Sequence, residues 1–419
     1  MKELTLLGGA RLSGEIGVHG SKNAALPILF SCLLFSEPVE LANLPDITDV
    51  SAALSLLSSL GVKIVRKGRG RVLLDPSSAC SDGCDLSLSG SLRGSIYLLG
   101  ATCRRFPGLT VPRPGGCNFG ARPIDLHLSV FRAMGLTVSE SEEGVSVRGR
   151  PKGARFHFPT VSVGATVNAI LSAVLAEGRT ILTGAAREPH VLDLIAFLRA
   201  AGARISLPAP GAVVIDGVPR LYGVRHRVCP DMIEAGTYLL FTMATGGEIT
   251  LRAIPPGELA CLLPLLAGMG ARIGAGVSSL CLSRTGDLRP VSVGTAPYPG
   301  FPTDLQPQMT ALACLADGES VIADPIFPTR FGYVSELRKI GAKIVVADGR
   351  AVVSGGSRLT GRNVTAPDLR ARAALTLAAL AAEGESRILR FDRIERGYAA
   401  LTRNLAALGA SVTLSDGGA

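Results

Sequence analysis

The sequence Leu60-Gly61-Val62-Lys63-Ile64 ends a Leu- and Ala-rich helical pattern and begins a strand. Five similar motifs follow: Met134-Gly135-Leu136-Thr137-Val138, Ala201-Gly202-Ala203-Arg204-Ile205, Met269-Gly270-Ala271-Arg272-Ile273, Ile340-Gly341-Ala342-Lys343-Ile344 and Leu408-Gly409-Ala410-Ser411-Val412. Their glycines recur at intervals from 67 residues (Gly135 to Gly202) to 74 residues (Gly61 to Gly135). Solenoid repeats run about 20–50 residues, so a longer period predicts six copies of a larger α/β unit.

Each repeat is predicted to contain a helix, a strand, a loop, a second helix, the Gly motif and further strands. In the third repeat, we expect helices over 165–177 and 191–201, with a strand over 180–182 between them. Three repeats around a pseudo-threefold axis would form one domain, and two such domains the chain. We expect the boundary near Cys229-Pro230 and a substrate site in the cleft between the domains.

The N-terminal segment repeats a pattern that occurs elsewhere. Leu7-Gly8-Gly9-Ala10-Arg11-Leu12-Ser13-Gly14 resembles Ser354-Gly355-Gly356-Ser357-Arg358-Leu359-Thr360-Gly361. We therefore predict an N-terminal hairpin that is the end piece of the sixth repeat, moved to the front of the chain.

Polar residues recur at the start of the first helix of each repeat. These starts contain Ser21-Lys22-Asn23, Ser91-Leu92-Arg93, Ser162-Val163-Gly164, Asp231 with Glu234, Thr303-Asp304 and Asp368-Leu369-Arg370-Ala371-Arg372. Taken singly, each Ser, Thr or Asp is best interpreted as a helix cap, and Asp231 with Glu234 has capping-box spacing. Caps do not explain cations such as Lys22, Arg93, Arg370 and Arg372 beside a helix end that repels them. A bound anion would explain them, since helix starts bind anions.

The composition favours anionic small molecules over nucleic acid. The net charge is +9, but no basic run is longer than Arg104-Arg105. Aromatic residues make up 5 % of the chain and Trp is absent, which argues against a base-stacking surface. A nucleic-acid-binding repeat protein therefore remains an unfavoured alternative.

The sequence also predicts a cytoplasmic protein without a metal site. The start Met1-Lys2-Glu3-Leu4 lacks the apolar segment of a secretory signal, and no apolar run reaches the roughly 18 residues of a membrane span. Nine cysteines, an odd number, indicate reduced thiols. Cys80 and Cys84 have no second Cys/His pair that would complete a zinc site.

A loop rich in Gly and Pro carries the strongest candidate for a reactive group. The loop spans residues 112–127 and places Cys117 between Arg113 and Arg122. Nearby cations lower the pKa of a thiol, so Cys117 is a candidate functional residue, although most cysteines are inert. His190 is interpreted as site lining or as an exposed residue. We assign no function to the other histidines.

At these residues the chain resembles the UDP-N-acetylglucosamine 1-carboxyvinyltransferases, a family of enolpyruvyl transferases. The resemblance runs from Gly20-Ser21-Lys22-Asn23-Ala24-Ala25-Leu26-Pro27 to Arg396-Gly397-Tyr398 and includes Pro114-Gly115-Gly116-Cys117, Gly120-Ala121-Arg122-Pro123, Ser162-Val163-Gly164-Ala165-Thr166, Ala186-Arg187-Glu188-Pro189 and Phe301-Pro302-Thr303-Asp304. It implies a two-domain, inside-out α/β barrel of six βαβαββ repeats. The first domain would span 22–229, and the second 1–21 plus 230–419.

The resemblance also implies the substrates and their ligands. Phosphoenolpyruvate would be held by Lys22, Arg122 and Arg396, with Asn23 at the hinge side. UDP-N-acetylglucosamine would be held by Arg93, Arg122, Pro123, Ile124, Asp125, Leu126, Thr160, Val161, Ser162, Val163, Gly164, Asp304 and Ile326, and Arg330 and Arg370 complete the substrate-binding set.

The catalytic roles follow from the same resemblance. Cys117 would protonate the enol methylene and can form a pyruvate-derived adduct, Asp304 would take the proton of the sugar 3-hydroxyl, and Asp368 would assist the methyl-forming step. Lys22 and Arg396 would stabilise the leaving phosphate. No cofactor or metal is required. The implied role is the first committed step of peptidoglycan synthesis, which links the protein to cell wall biogenesis, cell shape, the cell cycle and cell division, with fosfomycin as an inhibitor.

Five positions depart from the pattern of this family: Thr160, His190, Met232, Arg393 and Glu395. They leave two enzyme alternatives open, a sister 5-enolpyruvylshikimate-3-phosphate (EPSP) synthase and a paralogue with altered activity. The EPSP synthases lack the Cys-bearing loop, so Cys117 favours the UDP-N-acetylglucosamine enzymes.

Overall fold

The computed structural model describes residues 2–81, 87–113 and 124–416. These residues form two compact units. One comprises residues 2–19 and 230–416, and the other comprises residues 20–81, 87–113 and 124–229. We refer to the first as the split unit and to the second as the central unit.

The strands of the described residues are β1 (Lys2–Leu7), β2 (Ser13–Gly17), β3 (Val39–Ala42), β4 (Lys63–Arg66), β5 (Val72–Asp75), β6 (Thr110–Val111), β7 (Thr137–Glu140), β8 (Val145–Arg148), β9 (Arg155–His157), β10 (Arg179–Thr183), β11 (Arg204–Ser206), β12 (Val213–Asp216), β13 (Arg225–Arg227), β14 (Glu248–Arg252), β15 (Arg272–Ala275), β16 (Ser279–Ser283), β17 (Ser292–Gly294), β18 (Glu319–Ala323), β19 (Lys343–Ala347), β20 (Arg350–Ser354), β21 (Asn363–Thr365), β22 (Glu385–Leu389) and β23 (Ser411–Asp416).

The α-helices are α1 (Lys22–Ser31), α2 (Thr48–Ser59), α3 (Tyr97–Thr102), α4 (Asp125–Ala133), α5 (Val163–Ala173), α6 (Pro189–Ala200), α7 (Met232–Thr245), α8 (Leu263–Gly268), α9 (Gln306–Ala313), α10 (Val334–Lys339), α11 (Leu369–Ala381) and α12 (Leu401–Ala407). Short 3₁₀ turns lie at Cys32–Leu34, Ser87–Ser91, Arg93–Ile96, Pro256–Leu259, Thr303–Leu305 and Phe391–Arg396.

The third repeat shows the unit from which the fold is built. Its sheet has the order β11-β12-β10-β9, in which β9 and β10 are parallel and the other pairs are antiparallel. Helix α5 connects the two parallel strands, and α6 leads through the Gly motif into the β11–β12 pair. The first helix, expected over 165–177, begins two residues earlier, at Val163, and ends at Ala173.

The same strand order recurs in the other described sheets. They are β13-β3-β5-β4, β15-β16-β14-β2, β17-β18-β20-β19, β21-β22-β1-β23 and the three-stranded β6-β8-β7. The predicted α/β repeat architecture is therefore confirmed.

The glycine of each motif occupies a backbone conformation that other residues rarely adopt. Gly61, Gly135, Gly202, Gly270, Gly341 and Gly409 have φ between +75° and +111°. In the third repeat, Gly202 donates to the carbonyl of Arg199 and so ends α6. A left-handed residue after the last helical turn reverses the chain, and Gly adopts it without steric cost. This requirement is the physical reason for the repeated glycine.

The predicted N-terminal hairpin is wrong, although β1 does complete the sixth repeat. β1 lies between β22 and β23, with Leu4 opposite both Ile388 and Leu414. β2 instead pairs in parallel with β14 and opens the fourth sheet. The Gly8-Gly9 pair, which suggested a hairpin turn, donates to the carbonyls of Gly384 and Leu380 and carries the chain from one sheet to the next.

The first helix of each repeat is buried on all sides. In the split unit α7, α9 and α11 pack against one another, and in the central unit α3 packs against α1 and α5. Every residue of α11 from Leu369 to Leu380 is buried, and many of them are Ala. A helix that is apolar all round belongs inside a core, and small side chains let such helices approach closely.

The sheet position of β1 predicts an asymmetric response to substitution. Leu4 is fully buried and Thr5 on the opposite face is half-buried. Leu4→Ala should lower the free energy of unfolding of the split unit by about 3 kcal/mol, because it removes buried side-chain volume. Thr5→Ala should cost less than about 1 kcal/mol. Urea denaturation of both variants makes the comparison. Equal effects would contradict the observed strand pairing.

Candidate active site

In the split unit, Asp304 lies between two arginines at the start of α9. Its Oδ1 accepts a hydrogen bond from Arg330 Nη1 at 3.0 Å, and its Oδ2 accepts one from Arg370 Nη2 at 2.7 Å. Arg370 is the second residue of α11, so the ion pair joins the starts of two first helices. The Asp304 side chain is 27 % exposed, whereas both arginines are buried. One carboxylate edge therefore remains open to a ligand.

The two arginines make Asp304 a weak base in this arrangement. Burial opposes ionisation, but the charges of Arg370 and Arg330 outweigh it and hold the pKa of Asp304 well below its usual range. The interaction also shifts the pKa of Arg370. Burial lowers that pKa, but the charge of Asp304 outweighs burial and raises it above its ordinary value. To accept a proton, Asp304 would have to exchange its bonds with the arginines for other partners. The interpretation of Asp304 as a helix cap finds no support, because its contacts are with arginines.

Other polar starts do cap their helices. Asp368 Oδ1 accepts from the backbone N–H groups of Arg370 (2.8 Å) and Ala371 (3.0 Å). Asp231 Oδ1 accepts from Glu234 N at 3.2 Å, as in a capping box. The backbone N–H of Asp231, which a capping box would direct to Glu234, donates instead to the carbonyl of His19 at 2.9 Å, and Glu234 accepts from His19 N at 2.8 Å. The capping-box prediction is thus half correct.

Two further basic residues of the sequence analysis, Arg396 and Arg372, belong to the same unit. The guanidinium of Arg370 lies 5.5 Å from the ring centre of Tyr398. Tyr398 follows Arg396 by two residues in the sequence, and Arg396 is half-buried. Arg372 is buried and donates to the carbonyls of Arg390 and Ala366. Its guanidinium therefore ties together the segments that contain Ala366 and Arg390.

In the central unit, Lys22 is paired with an acidic residue that the sequence did not single out. Lys22 Nζ lies 2.6 Å from Asp49 Oδ2, and both side chains are largely buried. Lys22 is the first residue of α1, whose cap Ser21 accepts from Ala24 N at 3.4 Å. Asp49 lies in the first turn of α2, where an acidic residue is common, so its spacing gave no signal of this contact.

A second polar group in this unit joins two first helices, α3 and α5, to the second helix α4. Asn168 of α5 donates to the carbonyl of Ile96, accepts from Gly100 N, and lies 2.8 Å from His127 Nδ1. Burial lowers the pKa of His127 to about 4, and the charge of Arg93 acts in the same direction. A neutral imidazole at the start of α4 therefore lies close to Arg93, which opens a 3₁₀ turn.

The remaining proposed substrate ligands fall into three classes by exposure. Thr160, Asp125 and Ile326 are exposed, Asn23, Leu126, Val161, Ser162, Val163 and Gly164 are half-buried, and Ile124 is buried. Ser162 caps α5 by accepting from Ala165 N at 3.3 Å. Gly164 packs so closely against His127 that a Cβ there would lie 2.8 Å from the imidazole. Cys117, Arg122 and Pro123 lie outside the described residues.

The positions that depart from the family pattern have ordinary surroundings. Met232 and His190 are buried, Arg393 is exposed, and Glu395 forms an ion pair with Lys2 at 2.7 Å. Among the described residues no group of three His, Cys, Asp or Glu side chains could hold a metal ion. No described helix is long and apolar enough to cross a membrane.

Comparison with known proteins identifies the family. The EPSP synthase family, 3-phosphoshikimate 1-carboxyvinyltransferase, matches residues 6–405. The chain belongs to the EPSP synthase family. Within it, the chain is 40 % identical over 413 residues to UDP-N-acetylglucosamine 1-carboxyvinyltransferase 3 of Caldanaerobacter subterraneus subsp. tengcongensis, covering 98 % of this chain and 99 % of that protein. It is 41 % identical to UDP-N-acetylglucosamine 1-carboxyvinyltransferase 2 of Geobacillus kaustophilus, covering 98 % and 96 %.

Solved structures of other proteins agree with the fold. The enolpyruvyl transferase NikO from Streptomyces tendae superposes with a TM-score of 0.90 at 27 % identity, covering 99 % of each chain. An EPSP synthase from Acinetobacter baumannii has a TM-score of 0.75 at 18 % identity, covering 99 % of this chain and 100 % of that one, and bears on the fold alone. The resemblance and the fold class inferred from the sequence are confirmed.

His127 predicts a loss of stability in mild acid. Its pKa of about 4 in the folded state lies below the ordinary 6.5, so the unfolded chain takes up the proton first. The stabilisation is complete above pH 6.5 and is lost as the pH falls towards 4. This group alone should cost about 2 kcal/mol between pH 7 and pH 5. Urea denaturation at both pH values should show that His127→Asn removes most of this loss.

An exposed imidazole provides the control for this experiment. His157 is exposed on β9, so His157→Asn should keep the pH dependence of the wild type. A wild-type slope in His127→Asn would show that His127 is not the titrating group.

Proposed function

We propose that this protein transfers the enolpyruvyl group of phosphoenolpyruvate to the 3-hydroxyl of UDP-N-acetylglucosamine and releases phosphate. The observation that carries the proposal is the identity of 40 % to a UDP-N-acetylglucosamine 1-carboxyvinyltransferase over almost the whole length of both chains. The enzyme is a transferase of peptidoglycan synthesis, as the names of these relatives indicate. Roles in cell wall biogenesis, cell shape and cell division follow from that step.

The reaction needs an acid, a base and cations. The sugar 3-oxygen adds to C2 of phosphoenolpyruvate while its proton leaves to a base, and C3 receives a proton to become a methyl group. The adduct then loses a methyl proton and the phosphate, which restores the double bond. We assign the first acid to Cys117, the base to Asp304, and assistance at the methyl group to Asp368. Lys22, Arg122 and Arg396 would neutralise the phosphate.

Both units would contribute residues to this reaction. In the split unit, a sugar nucleotide that takes Arg330 or Arg370 as a ligand would weaken their hold on Asp304 and so raise its basicity. In the central unit, a phosphate would compete with Asp49 for Lys22. In each case an ion pair within the protein would be replaced by an ion pair between the basic residue and the substrate. Activation of Asp304 is thereby linked to occupancy by the sugar nucleotide.

The proposed setting is the cytoplasm, with the two anionic metabolites as partners and no cofactor, nucleic acid or membrane. The charge distribution that argues against nucleic acid is a property of the sequence: basic residues are scattered along the chain. Two arginines of the candidate site, Arg330 and Arg370, are buried against Asp304 and do not form an exposed basic surface.

Phosphate release tests the proposal and its enzyme alternative together. Purified protein with phosphoenolpyruvate should release phosphate when UDP-N-acetylglucosamine is added, but not when shikimate 3-phosphate is added. Release with shikimate 3-phosphate alone would instead favour the EPSP synthase reaction. If neither acceptor leads to phosphate release, a paralogue with altered activity is favoured.

Removing the charge of Asp304 should abolish turnover. Asp304→Asn should lower kcat at least 100-fold, because an amide cannot accept the hydroxyl proton, while the dissociation constant for UDP-N-acetylglucosamine should change much less. Steady-state kinetics and calorimetry measure the two effects. The control Glu319→Gln alters an exposed carboxylate on β18 and should keep full activity. Normal turnover in Asp304→Asn would mean that the base has been misassigned.

Cys117 should be the thiol that reacts fastest with fosfomycin. Burial raises the pKa of Cys103 and Cys261 to about 11 and that of Cys314 to about 12, which suppresses their thiolate forms. Mass spectrometry should place a single adduct on the peptide that contains Cys117. Cys117→Asp should resist the epoxide and keep some activity, shifted to lower pH, because a carboxyl group near arginines is protonated only there.

The exposed thiol of Cys80 is the control for this labelling. Cys80→Ala should leave the adduct and its rate unchanged. An adduct on another peptide, or full sensitivity of Cys117→Asp, would contradict the assignment.

A further inference from the structure

A fully buried carboxylate, Asp324, lies behind the Asp304 group and has no role in the mechanism above. It follows β18, next to the end of the parallel strand β17. Its Oδ1 accepts from Thr295 Oγ1 (2.6 Å), Ile326 N (3.1 Å) and Phe327 N (2.9 Å), and its Oδ2 accepts from Thr303 Oγ1 (2.6 Å). A buried carboxylate is costly unless such bonds satisfy it, so the arrangement fixes all four partners.

The direction of the hydrogen bonds from Asp324 to Asp304 is determined by chemistry. Arg330 Nη1 can only donate, and it lies 3.0 Å from Thr303 Oγ1 and 3.0 Å from Asp304 Oδ1. Thr303 Oγ1 must therefore accept from Arg330 and direct its own hydrogen elsewhere. That hydrogen goes to Asp324 Oδ2.

We infer that Asp324 and Thr303 are positioning residues, which form a hydrogen-bond relay that holds Arg330 on the base Asp304. This inference rests on the proposed function, in which Asp304 accepts the proton of the sugar. Neither residue needs to contact the reacting atoms.

A second contact from Asp324 supports the same arginine. The guanidinium of Arg330 lies 5.7 Å from the ring centre of Phe327, whose backbone N–H is bound by Asp324. An unrestrained arginine loses rotamer entropy when it is fixed, so contacts that restrain it in advance reduce that cost. Asp324 thus restrains Arg330 from two sides, and it also fixes the backbone of Ile326, a proposed ligand of the sugar nucleotide.

The relay explains how Arg330 can serve both the free enzyme and the complex. Thr303 binds Arg330 through its backbone carbonyl (3.1 Å) as well as its hydroxyl, so the guanidinium stays in place when Asp304 exchanges partners. Asp304 can then be released by a small movement without loss of Arg330 from the site. Catalytic groups need to be held within about 0.5 Å of their productive positions.

The two threonines that donate hydrogen bonds to Asp324 provide a matched test. Thr303 and Thr295 each donate to this carboxylate at 2.6 Å, but Thr303 is the one bonded to Arg330. Thr303→Val should lower kcat/KM for UDP-N-acetylglucosamine at least 10-fold, while KM for phosphoenolpyruvate stays within twofold, because the proposed ligands of the latter lie outside the relay. Thr295→Val should keep both constants within twofold, and Thr303→Ser should restore activity.

A purely structural role for Asp324 would give a different result. In that case Thr303→Val and Thr295→Val would lower activity to the same extent, and the inference would fail. Urea denaturation measures the stability of both variants, so that a loss of activity through unfolding is recognised. The inference would also fail if Thr303→Val kept wild-type kinetics.

A crystal structure separates failure of the relay from failure of the proposed function. If the wild type does not turn over UDP-N-acetylglucosamine, the proposed function is wrong, but the relay can still be judged from Thr303→Val. A guanidinium of Arg330 displaced from Asp304 in that variant supports the relay. One that remains within hydrogen-bond distance overturns it.

Discussion

The burial of the first helix of every repeat is the constraint on which the rest of the structure depends. α7, α9 and α11 pack together without a solvent face, so their sides must be apolar and, as in α11, often no larger than Ala. A polar side chain on such a helix is costly to bury unless hydrogen bonds satisfy it, as they do for Asn168. Binding chemistry is therefore confined to the helix starts, where backbone N–H groups are free to bind caps or anions.

That confinement explains why the site consists of opposed charges rather than isolated ones. Lys22 and Arg370 begin helices whose dipoles disfavour cations, and each is paired with a carboxylate, Asp49 or Asp304. Without such a partner, the desolvation of a largely buried cation would not be compensated. The pairs thus satisfy both charges in the free protein. In the proposed mechanism they would also reduce affinity, since a substrate anion would have to replace an internal one. Selectivity would follow, because only a ligand that offers a comparable charge in the same geometry could make that exchange.

Much of the fold was predictable from local signals. The six glycines encode a left-handed residue at a helix end, a requirement that is independent of tertiary context, and they fixed the number of repeats. The N-terminal hairpin was wrong because Gly8-Gly9 satisfies the local rules of a turn, whereas the pairing of β1 with β22 and β23 is decided by contacts almost 400 residues away. At the site, caps and cations were found by residue type. Their partners Asp49 and Asp324 were missed, since an acidic residue in a first helical turn or after a strand carries no signal of what it will contact.

The basicity of Asp304 shows why residue type alone cannot define a mechanism. The sequence identifies a carboxylate at the right position, and the structure shows it held by Arg330 and Arg370 with its pKa far below the useful range for a base near neutral pH. In the proposed mechanism, the energy needed to release Asp304 would come from binding of the sugar nucleotide, which would compete for Arg330 and Arg370. Under that proposal, the enzyme would have a base only while the sugar nucleotide is bound. It would thereby avoid unproductive proton transfer, and part of its binding energy would be used to release Asp304.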